Sequence, residues 1–308
     1  MQEAERQRIA ATNATKARAA WFSIVSNSIL IIFKLVVGLI SGSIGIISEA
    51  VHSGSDLIAA IIAFYSVREA AKPADVKHSY GHEKVENVSG VVEGMLIFLA
   101  AVIIAYEAVQ KLLHGLHIDH LWLAIGVMAV SAAANAGVSR FLYPIARKTE
   151  SAALEADAAH LRTDVYTSLG VAGGLALVRI TGKTFFDPLL AIVIALVIVH
   201  TAYKLMAVST RVLLDETLPD DELAVIRATV KEHKGDLIVG YHRLRTRQAG
   251  SKRHIDLHIT VDEDLRVSEA HDIAEHIMAD IHKRIPNAEV LVHVEPRSED
   301  RADEFESD

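Results

Sequence analysis

The sequence is 308 residues long, 51% hydrophobic and free of cysteine, with a formal net charge of −8. Its mean hydropathy of +0.28 is too high for an ordinary soluble domain, yet its charged fraction of 23% is near the soluble average, so apolar and charged residues must be segregated along the chain. The missing cysteines exclude disulfide scaffolds, thiolate zinc sites, iron–sulfur clusters and cysteine nucleophiles, while 16 histidines, about twice the usual share, direct attention to metal or proton chemistry.

Residues 1–20 read as a polar, cytoplasmic N-terminal segment. A bilayer core needs roughly 20 apolar residues per helix, and stretches 21–40, 46–66, 88–110, 121–142 and 185–208 reach that length. The first is too long for a signal-peptide core, and no small-residue cleavage site follows it. Residues 153–180 begin with the polar run ALEADAAHLRTDVYTSLG but continue into VAGGLALV. This stretch is taken as a sixth span, because a pathway through a helix bundle needs a buried polar face. With six spans, thirteen basic residues flank one side (Arg6, Arg8, Lys16 and Arg18 at the start, Lys204 and Arg211 at the end), against Lys111, Arg179 and Lys183 on the other. The positive-inside rule then places both termini in the cytoplasm. Five spans would put the acidic tail outside and separate the basic segments near 140–148 and 204–211.

The predicted membrane domain is 21–211, followed by a cytoplasmic domain at 212–296. Up to Leu214 there are 18 basic and 16 acidic residues; after it there are 13 and 23. An acidic tail argues against nucleic acid and anionic lipid as its partners and suits a domain that handles cations, although simple solubility accounts for it equally well. Residues 220–233 have an acidic first turn, apolar Leu223, Ile226 and Val230, and Gly235 beyond their end, which predicts a capped amphipathic helix. Alternation predicts strands at 237–247 and 254–262, then a helix at 268–284 opening on Ser268 and a last strand ending at Pro296. The order α-β-β-α-β predicts a two-layer α+β domain with helices on one face of a sheet. Residues 297–308 are mostly charged and predicted to be disordered.

Ionisable residues inside spans are costly and count as functional candidates. His52 and Asp56 are four apart in the second span, and His160 and Asp164 are four apart in the fifth. Residues at i and i+4 share a helix face, so each pair can point at one spot. Two imidazoles and two carboxylates match the tetrahedral nitrogen and oxygen set of Zn²⁺, whereas Mg²⁺ and Ca²⁺ want more oxygens. A single intramembrane histidine is otherwise a hydrogen-bonded core residue. In the segment after span two, Asp75, His78 and His82 have metal-ligand spacing, or form a solvated polar loop. In the tail, His242 and His258 fall on adjacent strands, His271 opens a helix, and His293 and Glu295 share a strand face. His233, His254, His276 and His282 read as surface residues, and His114, His117 and His120 as a run outside the membrane with no assigned role.

With HSGSD and HLRTD in spans two and five, DVKHSYGHEKVE after span two, and YHRLRTRQAG and VHVEP in the tail, the chain resembles the cation diffusion facilitators. Among these it is similar to the bacterial zinc exporters that work as homodimers. The resemblance runs from the first span to Pro296. It implies a transport site at His52, Asp56, His160 and Asp164, and a loop site at Asp75, His78 and His82. It also implies a paired-zinc site at the tail dimer interface at His242, His258, His271, His293 and Glu295; close relatives carry aspartate where this chain has Glu295. Lys84 and Asp215 resemble a charged clasp between the third span and the tail domain. The implied activity is export of Zn²⁺ across the bacterial inner membrane against protons, by alternating access. No GxxxxGKS loop occurs, so ATP is not expected as the energy source, and no HExxH occurs to support a zinc hydrolase. Export of Cd²⁺, Co²⁺, Fe²⁺ or Mn²⁺, a membrane metal sensor and a metalloenzyme are the alternatives.

Overall fold

The computed structural model describes residues 2–41, 44–114, 121–183, 185–233 and 238–297. The chain divides into two compact units, Met1–Thr210 and Arg211–Asp308.

Among the described residues, the first unit contains six long helices: α1 (Gln2–Ser41), α2 (Ile44–Ala70), α3 (Val85–His114), α4 (Leu121–Thr149), α5 (Ala152–Thr181) and α6 (Phe186–Leu213), the last of which runs into the second unit. Among the described residues, four helical stretches are long and apolar enough to cross a membrane: Gln7–Ile40, Val85–Leu113, Ile125–Thr149 and Pro188–Leu213. Neither α2 nor α5 is among them, although the sequence predicts an apolar span at 46–66. These are the two helices that carry the HxxxD pairs, and several side chains of both lie outside the described atoms.

Helix α1 runs from Gln2 through the N-terminal segment. The alanines of that segment favour helix, and the Thr12 and Thr15 hydroxyls donate to the Arg8 and Ala11 carbonyls one turn back, at 3.0 and 2.8 Å. Lys16, counted above among the charges flanking the membrane, is buried, and its Nζ lies 2.9 Å from Glu86 Oε1 at the start of α3. Ser151, just ahead of α5, donates to the other oxygen of the same carboxylate. This network fastens the beginnings of α3 and α5 at one end of the unit. Small residues allow the helices to approach closely: Ala19, Ala20, Ala63, Ala146, Ala153 and Ala158 fill a core with Leu142, Leu154 and Leu161. Gly94 does the same between α3 and α6, where an added methyl would come within 2.5 Å of Met206 Cγ.

The second unit has the predicted order: α7 (Asp220–Glu232), β1 (Ile238–Ala249), β2 (Lys252–Val261), α8 (Val267–Arg284) and β3 (Ala288–Pro296). The sheet order is β1-β2-β3, with β1 and β2 antiparallel and β2 and β3 parallel. Gly250, at φ +57°, makes the tight turn between the first two strands, and α8 is the crossover that a parallel pair requires. Helix α8 opens one residue before Ser268, because the Glu269 carboxylate accepts the Arg266 backbone N–H at 3.0 Å and so caps the first turn. Ile255, Leu257 and Ile259 of β2 are fully buried with Ile226 and Val230 of α7 and Ile277 and Ile281 of α8. The alternate residues of β2 and β3 therefore point to the other sheet face. Arg253 clamps α7 to β2 through two bonds to Glu222, at 2.9 and 3.1 Å. Gly235 and the charged run from 298 onward lie outside the described residues.

Because Ile277 is fully buried in this core, Ile277→Ala is expected to destabilise the second unit by about 2–5 kcal/mol. Denaturant unfolding of the C-terminal unit checks this, and a change below about 0.5 kcal/mol would show that the site is not part of a close-packed core.

Candidate metal centres

Among the described residues, three groups of histidines and carboxylates converge, each with ligand atoms within 4.8 Å of one another: Asp56, His160 and Asp164; Asp75, His78 and His82; and His242, His258 and Glu295.

The first group lies inside the helical unit. Asp56 on α2 and His160 on α5 are 6% and 5% exposed, and His160 Nε2 faces Asp56 Oδ1 at 3.1 Å. Asp164, one turn after His160, accepts a bond from Asn135 Nδ2 of α4 at 3.4 Å. Asn27 of α1 donates to the Asp56 backbone carbonyl at 3.4 Å, so four helices position this group. The i, i+4 spacing places Asp164 beside His160 on one face of α5, but only the packing of α2 against α5 brings Asp56 opposite. His52 sits one turn before Asp56 on α2; its side chain lies outside the described atoms. Asn27 and Asn135 were not singled out by the sequence, where an asparagine inside a predicted span was the available signal. Lys34 of α1 also lies buried nearby in sequence terms, donating to Ser53 Oγ at 2.6 Å.

The second group is built on a turn between α2 and α3. The Asp75 carboxylate accepts the backbone N–H groups of Lys77 and His78 at 2.8 and 2.7 Å, an Asx turn that folds the loop on itself. The bond from His78 N–H, more than any other contact, holds the Asp75 carboxyl below its ordinary range. His78 Nδ1 and His82 Nε2 then sit 3.4 and 3.3 Å from the two Asp75 oxygens, with the imidazole centroids 4.5 Å apart. His82 is buried while Asp75 and His78 are exposed.

The third group lies on the sheet face of the second unit opposite its helices. The register pairs His242 with His258 and His258 with His293, which sets three imidazoles in a row across β1, β2 and β3. Glu295 gathers them: its Oε1 is 2.8 Å from His258 Nδ1 and 3.5 Å from His293 Nε2, and its Oε2 is 3.3 Å from His242 Nε2. A carboxylate reached by imidazoles on both oxygens can hold one ion or bridge two. His271 does not join this row. It belongs to α8, where it lines a groove with Val261, Leu265, Leu291 and Pro296, and it is not among the ligand atoms that converge on Glu295 within one chain. His254, expected at the surface, is buried with its Nδ1 3.4 Å from Glu289. His233 pairs with Asp280 at 3.1 Å and His282 with the Ala288 carbonyl at 3.0 Å.

Of the other sequence candidates, Lys84 lies just before α3, where its carbonyl accepts the first backbone bonds of that helix from Asn87 and Val88. Asp215 follows α6 in the second unit, at φ 56°, and accepts a bond from Arg247 at 3.4 Å. The side chain of His114, and all of His117 and His120, lie outside the described residues.

Residues 20–214 match the cation efflux transmembrane domain and residues 218–297 match the cation efflux protein cytoplasmic domain. An uncharacterized transporter of Synechocystis is 37% identical over 276 residues, covering 88% of this chain and 89% of the relative. The cation-efflux pump FieF of Yersinia enterocolitica is 32% identical over 278 residues, covering 90% of this chain and 92% of the pump. The metal-bound C-terminal domain of the CzcD transporter from Thermotoga maritima is 32% identical, with a TM-score of 0.23, and covers 25% of this chain and 87% of that domain. Both units are thus accounted for in one lineage, and the chain belongs to the cation diffusion facilitator family of cation-efflux transporters.

Proposed function

We propose that this protein exports divalent metal ions, Zn²⁺ foremost, from the cytoplasm across a bacterial inner membrane in exchange for protons. The observation that carries this reading is the buried group of Asp56, His160 and Asp164, whose ligand atoms fall within 4.8 Å of one another on two different helices. A mixed imidazole and carboxylate set suits Zn²⁺ better than Mg²⁺ or Ca²⁺, and His52, one turn from Asp56, supplies the fourth ligand. Cd²⁺, Co²⁺, Fe²⁺ and Mn²⁺ accept the same donors and compete by availability.

In this reading α2 and α5 join the four strongly apolar helices as spans, with their polar faces turned to the bundle interior. Exposed apolar residues such as Ile29, Leu39, Phe98, Trp122 and Leu196 face lipid, and the basic flanks hold both termini in the cytoplasm. The working form is a homodimer joined through the C-terminal units, whose histidine row holds regulatory or structural metal. The chain acts as a carrier and catalyses no covalent chemistry. Neutral imidazole binds metal and imidazolium does not, so a proton arriving at His52 or His160 from outside discharges the ion, and the vacated site returns with the proton.

Reconstitution into sealed vesicles with a panel of metals tests this. Zn²⁺ flux is expected to rise when the compartment opposite the metal is acidified, with the membrane potential clamped. Flux indifferent to the pH gradient would indicate uniport, and binding without flux would indicate a sensor.

A further inference from the structure

Ser131, Asn135 and Ser139 recur at every fourth residue of α4, share one face of that helix, and are all buried. Ser139 Oγ donates to the Ala158 carbonyl of α5 at 2.8 Å, which fixes where the two helices meet. One turn back along α4, Asn135 reaches Asp164, and its Nδ2 lies 3.4 Å from Asp164 Oδ2. Among the described residues this is the one hydrogen bond of its side chain, since Asn135 Oδ1 is buried and completes none. Burying an amide is costly, and one kept as a structural cross-link satisfies both of its ends. Asn135, at 6% exposed, spends its single contact on a metal-site carboxylate. Asn27 differs, because it donates to the Asp56 backbone carbonyl and so supports the helix rather than a ligand oxygen.

We propose that Asn135 is a positioning residue that sets the metal preference of the site on α2 and α5, acting through Asp164. A carboxylate binds a cation through one oxygen or through both, and that choice changes how many donors the ion receives. With its N–H directed at Oδ2, Asn135 engages one oxygen and leaves Oδ1 to the ion, so Asp164 serves as a single donor. One-oxygen binding holds the site at four donors, the tetrahedral number that suits Zn²⁺. Mn²⁺ favours a larger oxygen set in octahedral geometry and gains from a carboxylate that chelates. The amide is neutral, so it orients Asp164 without cancelling the charge that binds the metal. The part Asn135 plays in choosing the transported ion rests on the exporter reading; its effect on binding preference does not.

Equilibrium dialysis of the purified full-length protein against mixtures of Zn²⁺ and Mn²⁺ tests this. Asn135→Ala removes the donor, Asn135→Asp keeps the shape but carries no N–H, and Ser131→Ala, one turn away on the same face, is the control. The bound equivalent to follow is the one that Asp164→Ala loses. Its preference for Zn²⁺ over Mn²⁺ is expected to fall roughly tenfold in both Asn135 variants and to stay unchanged in Ser131→Ala. Co²⁺ supplies a spectroscopic check, because its visible bands are more intense in four-coordinate sites than in sites with five or six donors. The part of the Co²⁺ spectrum that Asp164→Ala abolishes should therefore weaken in both Asn135 variants. Equal losses of affinity for Zn²⁺ and Mn²⁺ with unchanged Co²⁺ bands would mean that Asn135 only supports the fold, and would overturn the proposal. A preference for Zn²⁺ that rises would overturn it as well. Asn135→Asp decides the matter if Asn135→Ala folds poorly by size-exclusion chromatography. An altered preference in a protein that carries no metal across the vesicle wall would uphold the role of Asn135 and remove the exporter reading.

Discussion

Asp56→Ala and Asp164→Ala are each expected to abolish metal flux in reconstituted vesicles while leaving the protein folded. The two carboxylates and His160 crowd their ligand atoms into 4.8 Å, and a four-coordinate site has no spare donor to replace a missing one. Losing even a supporting contact at a metal site costs about 10–100-fold in affinity, so loss of a direct ligand should bring flux to background. Because Asp56→Ala leaves buried His160 without its 3.1 Å partner, Asp56→Asn is measured beside it as the shape-preserving variant. Asp164→Ala frees Asn135 Nδ2, which now donates to that carboxylate, and Asp164→Asn serves as the shape-preserving control. Size-exclusion chromatography of each variant, alongside the flux assay, separates lost binding from lost structure. Normal flux in well-folded Asp164→Ala would remove α5 from the pathway.

The second large effect is expected in the C-terminal unit. Residues 212–308 carry their own apolar core, from Leu218 to Ala288, and should fold alone as a soluble dimer that binds Zn²⁺. His242, His258 and His293 come from three different strands, so an ion held with Glu295 cross-links the sheet and stabilises the native state by mass action. With free Zn²⁺ at 100 times the dissociation constant, one site contributes about 2.7 kcal/mol. For a unit of this size that corresponds to a rise in melting temperature on the order of 10–20 °C. The excess of acidic over basic residues after Leu214 makes two apo tails repel, and bound cations offset that repulsion, so metal should also tighten the dimer. His258→Ala removes the imidazole closest to Glu295 and should eliminate most of the rise. A melt indifferent to Zn²⁺ in the unsubstituted fragment would leave the unit as a dimerisation module and confine metal chemistry to the helical unit.

Sequence alone determined features that depend on one element at a time. Apolar run length predicted long helices, because a bilayer sets a length scale that composition reports. Period and punctuation gave the α-β-β-α-β order of the second unit, since its elements are short, amphipathic and separated by turns. The i, i+4 spacing put Asp164 beside His160, and the local Asx turn at Asp75 drew His78 and His82 together within eight residues.

Tertiary structure decided what depends on which faces meet. That Asp56 confronts His160 across 104 residues follows from alanine-lined packing of the helices, and no periodicity within α2 or α5 encodes it. The same packing brought in Asn27 and Asn135, buried Lys16 against Glu86, and buried Glu93 and Asp157 within the helical unit. In the second unit the pleat sends His258, His293 and Glu295 to one sheet face and the core residues Leu257 and Ile259 to the other. His271, on α8, is not part of that group within one chain. A residue's type and spacing fix what chemistry it can perform, but its partners come from distant elements, and only the packed fold brings those elements into contact.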